Sequence, residues 1–233
     1  MKHLLTACCF LFSLVFPAAV WSAESAADIL ERMDQAAPGF QAMSANVRMT
    51  TYVSVISDKT VEDGTLLMQR LKKNGTVRAI LDFSHQKEAS ANRLIAFLGN
   101  IIRIYYPNAN TYQDYDVGKN SDALNQFLLL GFGSSGKELA QGYDISAAGT
   151  ETLGGQDTTK LVLVPKTASV KEKLAKIEMW IPANSAYPIQ QEFYEPPPSG
   201  NYRIVTYSEM NLKPAIKGKQ LDFKPPAGAT KSS

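Results

Sequence analysis

Residues 45–55 read Ala-Asn-Val-Arg-Met-Thr-Thr-Tyr-Val-Ser-Val, so Val47, Met49, Thr51, Val53 and Val55 alternate with Asn46, Arg48, Thr50, Tyr52 and Ser54. A period of two sends the first series to one face of a strand and the second to the other, which predicts a strand with one buried face. The pattern recurs outward from this stretch, at 65–71, 77–83, 94–98, 101–106 and 112–117, and again at 143–148, 160–165, 176–181, 189–194 and 202–210. Asp63-Gly64, Asn74-Gly75, Gly99-Asn100, Pro107-Asn108 and Gly154-Gly155 read as the turns between runs.

Two helical patterns interrupt this rhythm. Ser25 can cap a helix carrying Ile29, Leu30, Met33 and Ala37 on one face, which Pro38-Gly39 ends. In the middle, Ser121-Asp122 opens a segment whose Leu124, Phe127, Leu128 and Leu130 fall at helical spacing before Gly131, and a short helix at 137–141 follows. About eleven strands and three helical segments, with no repeat or linker to divide them, predict a mainly β (α+β) chain folded as one domain. So many strands in sequence order should form one strongly curved antiparallel sheet, with the helices covering an apolar concave face. Shared parity assigns that face Val47, Met49, Leu66, Met68, Val77, Ala79, Leu81 and Phe83, the candidate lining of an apolar cavity. Arg70 shares the parity of Leu66 and Met68, so it is either a charge at the edge of the hollow in need of a partner or a strand-end arginine reaching solvent.

Composition narrows the chemistry. The 233 residues carry a formal net charge of +2, too small a surplus for a nucleic-acid partner. Cys8 and Cys9 are the only thiols and His3 and His85 the only imidazoles, which leaves little for metal or nucleophilic catalysis. No metal, no cofactor and no enzymatic activity are therefore expected. Lys2, the apolar run 4–16, Pro17 and the small residues Ala18, Ala19, Ser22 and Ala23 have the layout of a secretory signal peptide over 1–22, which leaves an exported domain of 23–233. Leu5-Thr6-Ala7-Cys8 also resembles a lipobox, but most of the apolar run follows Cys8 instead of preceding it.

Other motifs read blandly. The stretch Gly131-Phe132-Gly133-Ser134-Ser135-Gly136-Lys137 satisfies two phosphate-loop patterns, yet Glu138 stands where a magnesium-binding hydroxyl belongs and helix precedes it, so a flexible hinge is expected. Ser84 and His85 are adjacent and would point to opposite faces of a strand. Asp114 and Asp116 are expected to be surface polar groups, and Tyr105, Tyr106, Tyr112 and Tyr115 to pack across strands.

Several short motifs fall in a recognisable order: Asp63-Gly64-Thr65-Leu66-Leu67-Met68-Gln69-Arg70, then Gly99-Asn100 followed by Ile104-Tyr105-Tyr106-Pro107, then Gln126-Phe127-Leu128-Leu129-Leu130, and finally Leu221-Asp222-Phe223-Lys224-Pro225-Pro226-Ala227-Gly228. In that order the chain resembles the LolA family of periplasmic outer-membrane lipoprotein carriers over nearly all of its length after the leader. The resemblance implies an incomplete β-barrel with a helical lid over a cavity for acyl chains. It implies a periplasmic monomer that takes lipoproteins from an inner-membrane releasing complex to an outer-membrane acceptor. It also implies that Arg70 latches the lid when no ligand is bound; Leu71 stands where the family usually has a proline. A lipid-responsive envelope sensor with the same fold is the alternative.

Overall fold

The computed structural model describes residues 24–72, 75–118 and 128–232. The expected leader and two of the expected lid residues, Leu124 and Phe127, lie outside the described residues.

Twelve described strands form one sheet: β1 (Ala42–Val53), β2 (Asp58–Arg70), β3 (Val77–Phe83), β4 (Arg93–Leu98), β5 (Ile101–Tyr106), β6 (Thr111–Asp116), β7 (Tyr143–Leu153), β8 (Gln156–Pro165), β9 (Lys176–Pro182), β10 (Gln190–Tyr194), β11 (Tyr202–Asn211) and β12 (Thr230–Lys231). Their order is β12-β6-β5-β4-β3-β2-β1-β11-β10-β9-β8-β7, so β12 and β7 are edges and the sheet is not closed. Alternating inward apolar residues built this mainly β, curved architecture as the sequence leads one to expect. The connectivity departs from a single run in sequence order. Two meanders, β1–β6 and β7–β11, are joined where β1 pairs antiparallel with β11, from Ser44↔Asn211 to Tyr52↔Tyr202. One pairing is also parallel, Thr230↔Thr111 and Lys231↔Tyr112 between β12 and β6. Strands β6 and β7, consecutive in the chain, consequently lie at opposite ends of the sheet, and the chain between them must cross from one to the other.

Helix α1 (Ala26–Ala36) begins with a capping box, in which Ser25 Oγ accepts from the Asp28 amide at 3.2 Å and Asp28 accepts from the Ser25 amide at 3.2 Å. Its buried Ile29 and Met33 pack with Leu161, Leu163, Ile177, Met179 and Ile181, so α1 covers the half of the sheet made by β8 and β9. Helix α2 (Gly136–Gly142) has its own box from Ser135 and Glu138. It lies so close to α1 that a Cβ on Gly136 would sit 2.3 Å from the Leu30 carbonyl oxygen.

Asp63-Gly64 is not a turn. Gly64 lies inside β2 opposite Val47, and β2 begins well before the apolar run at 65–71, at Asp58. A Cβ on Gly64 would lie 2.6 Å from the Phe83 ring and 2.4 Å from the Asp82 carbonyl oxygen; the ring fills the space that a side chain would take. Val55 leaves the inward series as well, since β1 ends at Val53 and 54–56 form a turn.

Candidate functional site

The concave face of the β1–β3 half is apolar. Val47, Leu66, Met68, Val77, Ala79 and Phe83 are buried in one cluster with Phe40, Met43 and Ala45, while Met49 and Leu81 pack against it half-buried. Register brings them together across strands: Leu66↔Leu81, Met68↔Ala79 and Arg70↔Val77 between β2 and β3.

The described part of the crossing chain, 128–134, lies on this face. Phe132 is 2% exposed within the same cluster, edge-on to Tyr207 at 4.7 Å, and Leu128 and Leu129 pack against it. Leu130 parts from them and joins the second cluster with Ile29 and Met33. The expected lid residues that are described therefore straddle the two halves of the hollow.

A backbone segment laid on an apolar face must have its carbonyls satisfied there. Three anchors do this. The Leu129 carbonyl accepts from the Phe132 amide at 2.8 Å and from Ser134 Oγ at 2.8 Å. The Leu130 carbonyl accepts from Nε2 of buried Gln191 at 3.0 Å, whose Oε1 in turn accepts from the Tyr207 hydroxyl at 2.7 Å. Burial pushes the Tyr207 phenol above its ordinary value, so it remains a neutral donor. The Gly133 carbonyl accepts from Arg70 Nη2 at 2.5 Å. Arg70 Nη1 also reaches the Ala37 carbonyl at the end of α1 at 3.4 Å, and the guanidinium carbon lies 5.9 Å from the centre of the Phe40 ring. Arg70 thus ties β2, α1 and the crossing segment together, and the described acceptors of its side-chain hydrogen bonds are carbonyl oxygens.

The glycines of this segment are close-approach positions, not a loose hinge. Residues 130–134 are all buried; a Cβ on Gly133 would lie 2.7 Å from the Phe40 ring and 2.9 Å from Arg70 Nη2, and one on Gly131 (φ 80°) 2.8 Å from Pro188.

Polar residues that the sequence reading passed over complete the site. Glu62, 7% exposed, shares the parity of Leu66, Met68 and Arg70 and is held by Arg93, with Nη2 to Oε2 at 2.8 Å and Nη1 to Oε1. The Arg93 guanidinium lies 5.1 Å over the Phe83 ring. Extending the period-two count back from Leu66 would have found Glu62; nothing in the local sequence marks Gln191 or Tyr207. Asp114 corrects an expectation of surface polarity. Its side chain is 16% exposed and accepts two bonds from Arg103, at 2.7 and 2.9 Å, which hold its carboxyl below the usual range. Ser84 and His85 lie in the turn after β3, and His85 is exposed.

No family model and no curated protein sequence matches the chain. Solved structures do. An uncharacterized conserved protein from Thermus thermophilus aligns at 13% identity over 89% of this chain and 98% of that one, with a TM-score of 0.52. An outer-membrane lipoprotein-sorting protein domain from Vibrio parahaemolyticus aligns at 10% identity over 84% and 95%, with a TM-score of 0.44. A LolA superfamily protein from Nitrosomonas europaea aligns at 16% identity over 83% and 96%, with a TM-score of 0.39. Of these three, the likeness to the Thermus thermophilus protein exceeds a TM-score of 0.5, and at 13% identity it is a likeness of fold alone. Among the described residues no helix is long and apolar enough to cross a membrane.

Proposed function

We propose that the chain is a periplasmic carrier, exported by its N-terminal leader, that shields lipoprotein acyl chains in the hollow lined by Val47, Met49, Leu66, Met68, Val77, Ala79, Leu81 and Phe83. It works without catalysis, as a monomer, between an inner-membrane releasing complex and an outer-membrane acceptor. The crossing segment is the lid and Arg70 its latch. The observation that supports this reading is an apolar concave face covered by a segment whose carbonyls are tied down by Ser134, Gln191 and Arg70. An entering acyl chain replaces the apolar contacts of Leu128, Leu129 and Phe132, so the net cost of opening lies in the polar anchors. Of these, the Gln191 and Arg70 bonds reach outside the segment, and one ordinary hydrogen bond with one from a charged donor amounts to about 2 to 4.5 kcal/mol. A dozen methylenes at about 0.8 kcal/mol each contribute roughly 10 kcal/mol, which exceeds that cost.

The test is displacement of a fluorescent fatty acid by saturated fatty acids of increasing length. Affinity is expected to rise by up to about tenfold for every two methylenes. A dependence flat in chain length removes the carrier reading.

A further inference from the structure

The turn joining β1 to β2 carries two of the most exposed large apolar side chains among the described residues, Val55 at 88% and Ile56 at 68%. Such residues at the end of a hairpin are ordinarily a liability. This turn is also built to hold them out. The Ser57 amide donates to the Ser54 carbonyl at 3.0 Å, and the Ser54 amide donates to Asn201 Oδ1 at 2.9 Å. Asn201 Nδ2 is fixed to Glu195 at 2.9 Å, so the turn is braced by the 195–201 loop, whose Pro197 and Pro198 are exposed beside it.

Behind the turn, a row crosses five strands on the convex face. Register pairs Lys176 with Tyr194, Tyr194 with Tyr202, Tyr202 with Tyr52, and Tyr52 with Lys59. The Tyr52 and Tyr202 rings stack at 4.9 Å, those of Tyr194 and Tyr202 lie 6.0 Å apart, and Lys176 Nζ lies 4.3 Å over the Tyr194 ring. A row of tyrosines ending in lysines is the arrangement that suits a lipid–water interface, where amphipathic rings and long cationic stems sit at headgroup level. Tyr52 precedes Val55 by three residues, one step at strand rise and two through the tighter turn, about 7 Å in all, which falls within the depth of roughly 5 to 10 Å to which interfacial segments bury their apolar face.

We propose that this turn is a membrane-contact tip: Val55 and Ile56 enter the acyl region of a phospholipid bilayer while Tyr52, Tyr202 and Tyr194 lie among the headgroups. A bilayer is the occupant that fits, because two aliphatic side chains flanked by two prolines are far short of the roughly 800 Å² per partner that a stable protein interface needs. Lys176 is paired with Glu178 at 2.5 Å and faces Glu192 of β10 on the same side of the sheet, so the row has no marked cationic surplus and the contact does not require anionic lipid. The proposal goes beyond acyl-chain carriage, since it concerns how the protein meets a membrane whatever it carries.

The experiment is co-sedimentation of the full mature chain with phosphatidylcholine vesicles, with and without phosphatidylglycerol, at low and high salt. Wild type is expected to partition onto phosphatidylcholine with little salt dependence. The double variant Val55→Asp, Ile56→Asp should lower the partition coefficient by at least about tenfold while fatty-acid displacement in the absence of vesicles is unchanged. A second variant, Ile56→Trp, should bind at least as well as wild type and show a blue-shifted indole emission on adding vesicles, against the constant background of buried Trp180. The proposal is overturned if wild type ignores phosphatidylcholine, if the double variant partitions within twofold of wild type, or if the introduced indole keeps its aqueous emission. It is equally overturned if the tip instead drives self-association that the double variant abolishes without vesicles. Loss of fatty-acid binding with vesicle contact intact would strike the carrier reading and leave this one standing.

Discussion

Replacing Arg70 by leucine tests the latch directly. The variant keeps the strand, because the Arg70 amide bond to the Gln41 carbonyl at 2.8 Å is backbone. It removes the 2.5 Å bond to the Gly133 carbonyl, the longer 3.4 Å contact with Ala37 and the cation over Phe40 at 5.9 Å. A hydrogen bond from a charged donor contributes about 1.5 to 3 kcal/mol, and the distant ring adds at most about 0.5. The Gly133 carbonyl, buried in the closed arrangement, would also lose its partner there. The closed state should therefore lose about 2 to 3 kcal/mol relative to the open one, a 30- to 150-fold shift in population. Amide hydrogen exchange reads this at Phe132 and Ser134, whose N–H groups both donate to the Leu129 carbonyl inside the cover. Their protection should fall by that factor while the β8 and β9 amides keep theirs. Loaded with acylated cargo, Arg70→Leu should release it more slowly than wild type, because the bond that favours reclosing is gone. Unchanged protection at Phe132 and Ser134 would refute the latch, and Arg70 would then be a strand-end arginine that happens to meet a carbonyl.

Two further substitutions test other parts of the account. Gly64→Ala should destabilise by about 1 to 3 kcal/mol, read as a lower urea midpoint at constant slope, because the new methyl meets both the Asp82 carbonyl and the Phe83 ring; a change under about 0.5 kcal/mol would mean the ring moves freely. Asp114→Asn should cost about 1 to 3 kcal/mol at neutral pH, and the folded-state carboxyl lies below its ordinary 3.8, so the contribution is present above that value and lost as pH falls through the folded pKa. The gap between wild type and variant should accordingly close in acid; a gap independent of pH would show that the ion pair is not its source.

What was legible in the sequence follows from how local each cause is. Period-two alternation located the strands because a buried face constrains every second residue of a run, and Ser25 announced α1 because a cap acts within three residues. The order of the strands was not legible, since the β1–β11 pairing joins residues about 160 positions apart and periodicity carries no information about partners. Gly64 misled because Asp-Gly is a turn dipeptide by propensity, whereas here an aromatic ring contributed by β3 decides the conformation. The glycines of 131–136 misled in the opposite sense, since flexibility in isolation and tight contact in a packed core select the same residue. Glu62 and Gln191 are buried and Asp114 half-buried, and their partners, Arg93, the Leu130 carbonyl and Arg103, come from other strands or from the crossing segment, so their withdrawal from water becomes visible only once register is known.

The proposed latch and the proposed membrane tip sit at opposite ends of β2, with Arg70 closing the strand and Val55 and Ile56 just beyond its start at Asp58. Twelve residue steps at strand rise separate them by about 40 Å along the strand. Between the two lies the Glu62–Arg93 pair, a cation matched by a buried carboxylate, and breaking it would strand a charge at a cost of about 3 to 5 kcal/mol. Arg70 can exchange its carbonyl partners for water without stranding a carboxylate, so opening is cheaper at its end than across Glu62. Membrane contact and lid opening should then be energetically separate: Val55→Asp, Ile56→Asp should leave exchange at Phe132 and Ser134 untouched, and Arg70→Leu should leave vesicle partition untouched. Combined, the substitutions should add within about 0.5 kcal/mol. A larger coupling, with vesicles accelerating exchange at Phe132 only when Val55 and Ile56 are intact, would mean that bilayer contact itself drives opening through β2, and the picture of a rigid strand with independent devices at its two ends would have to be abandoned.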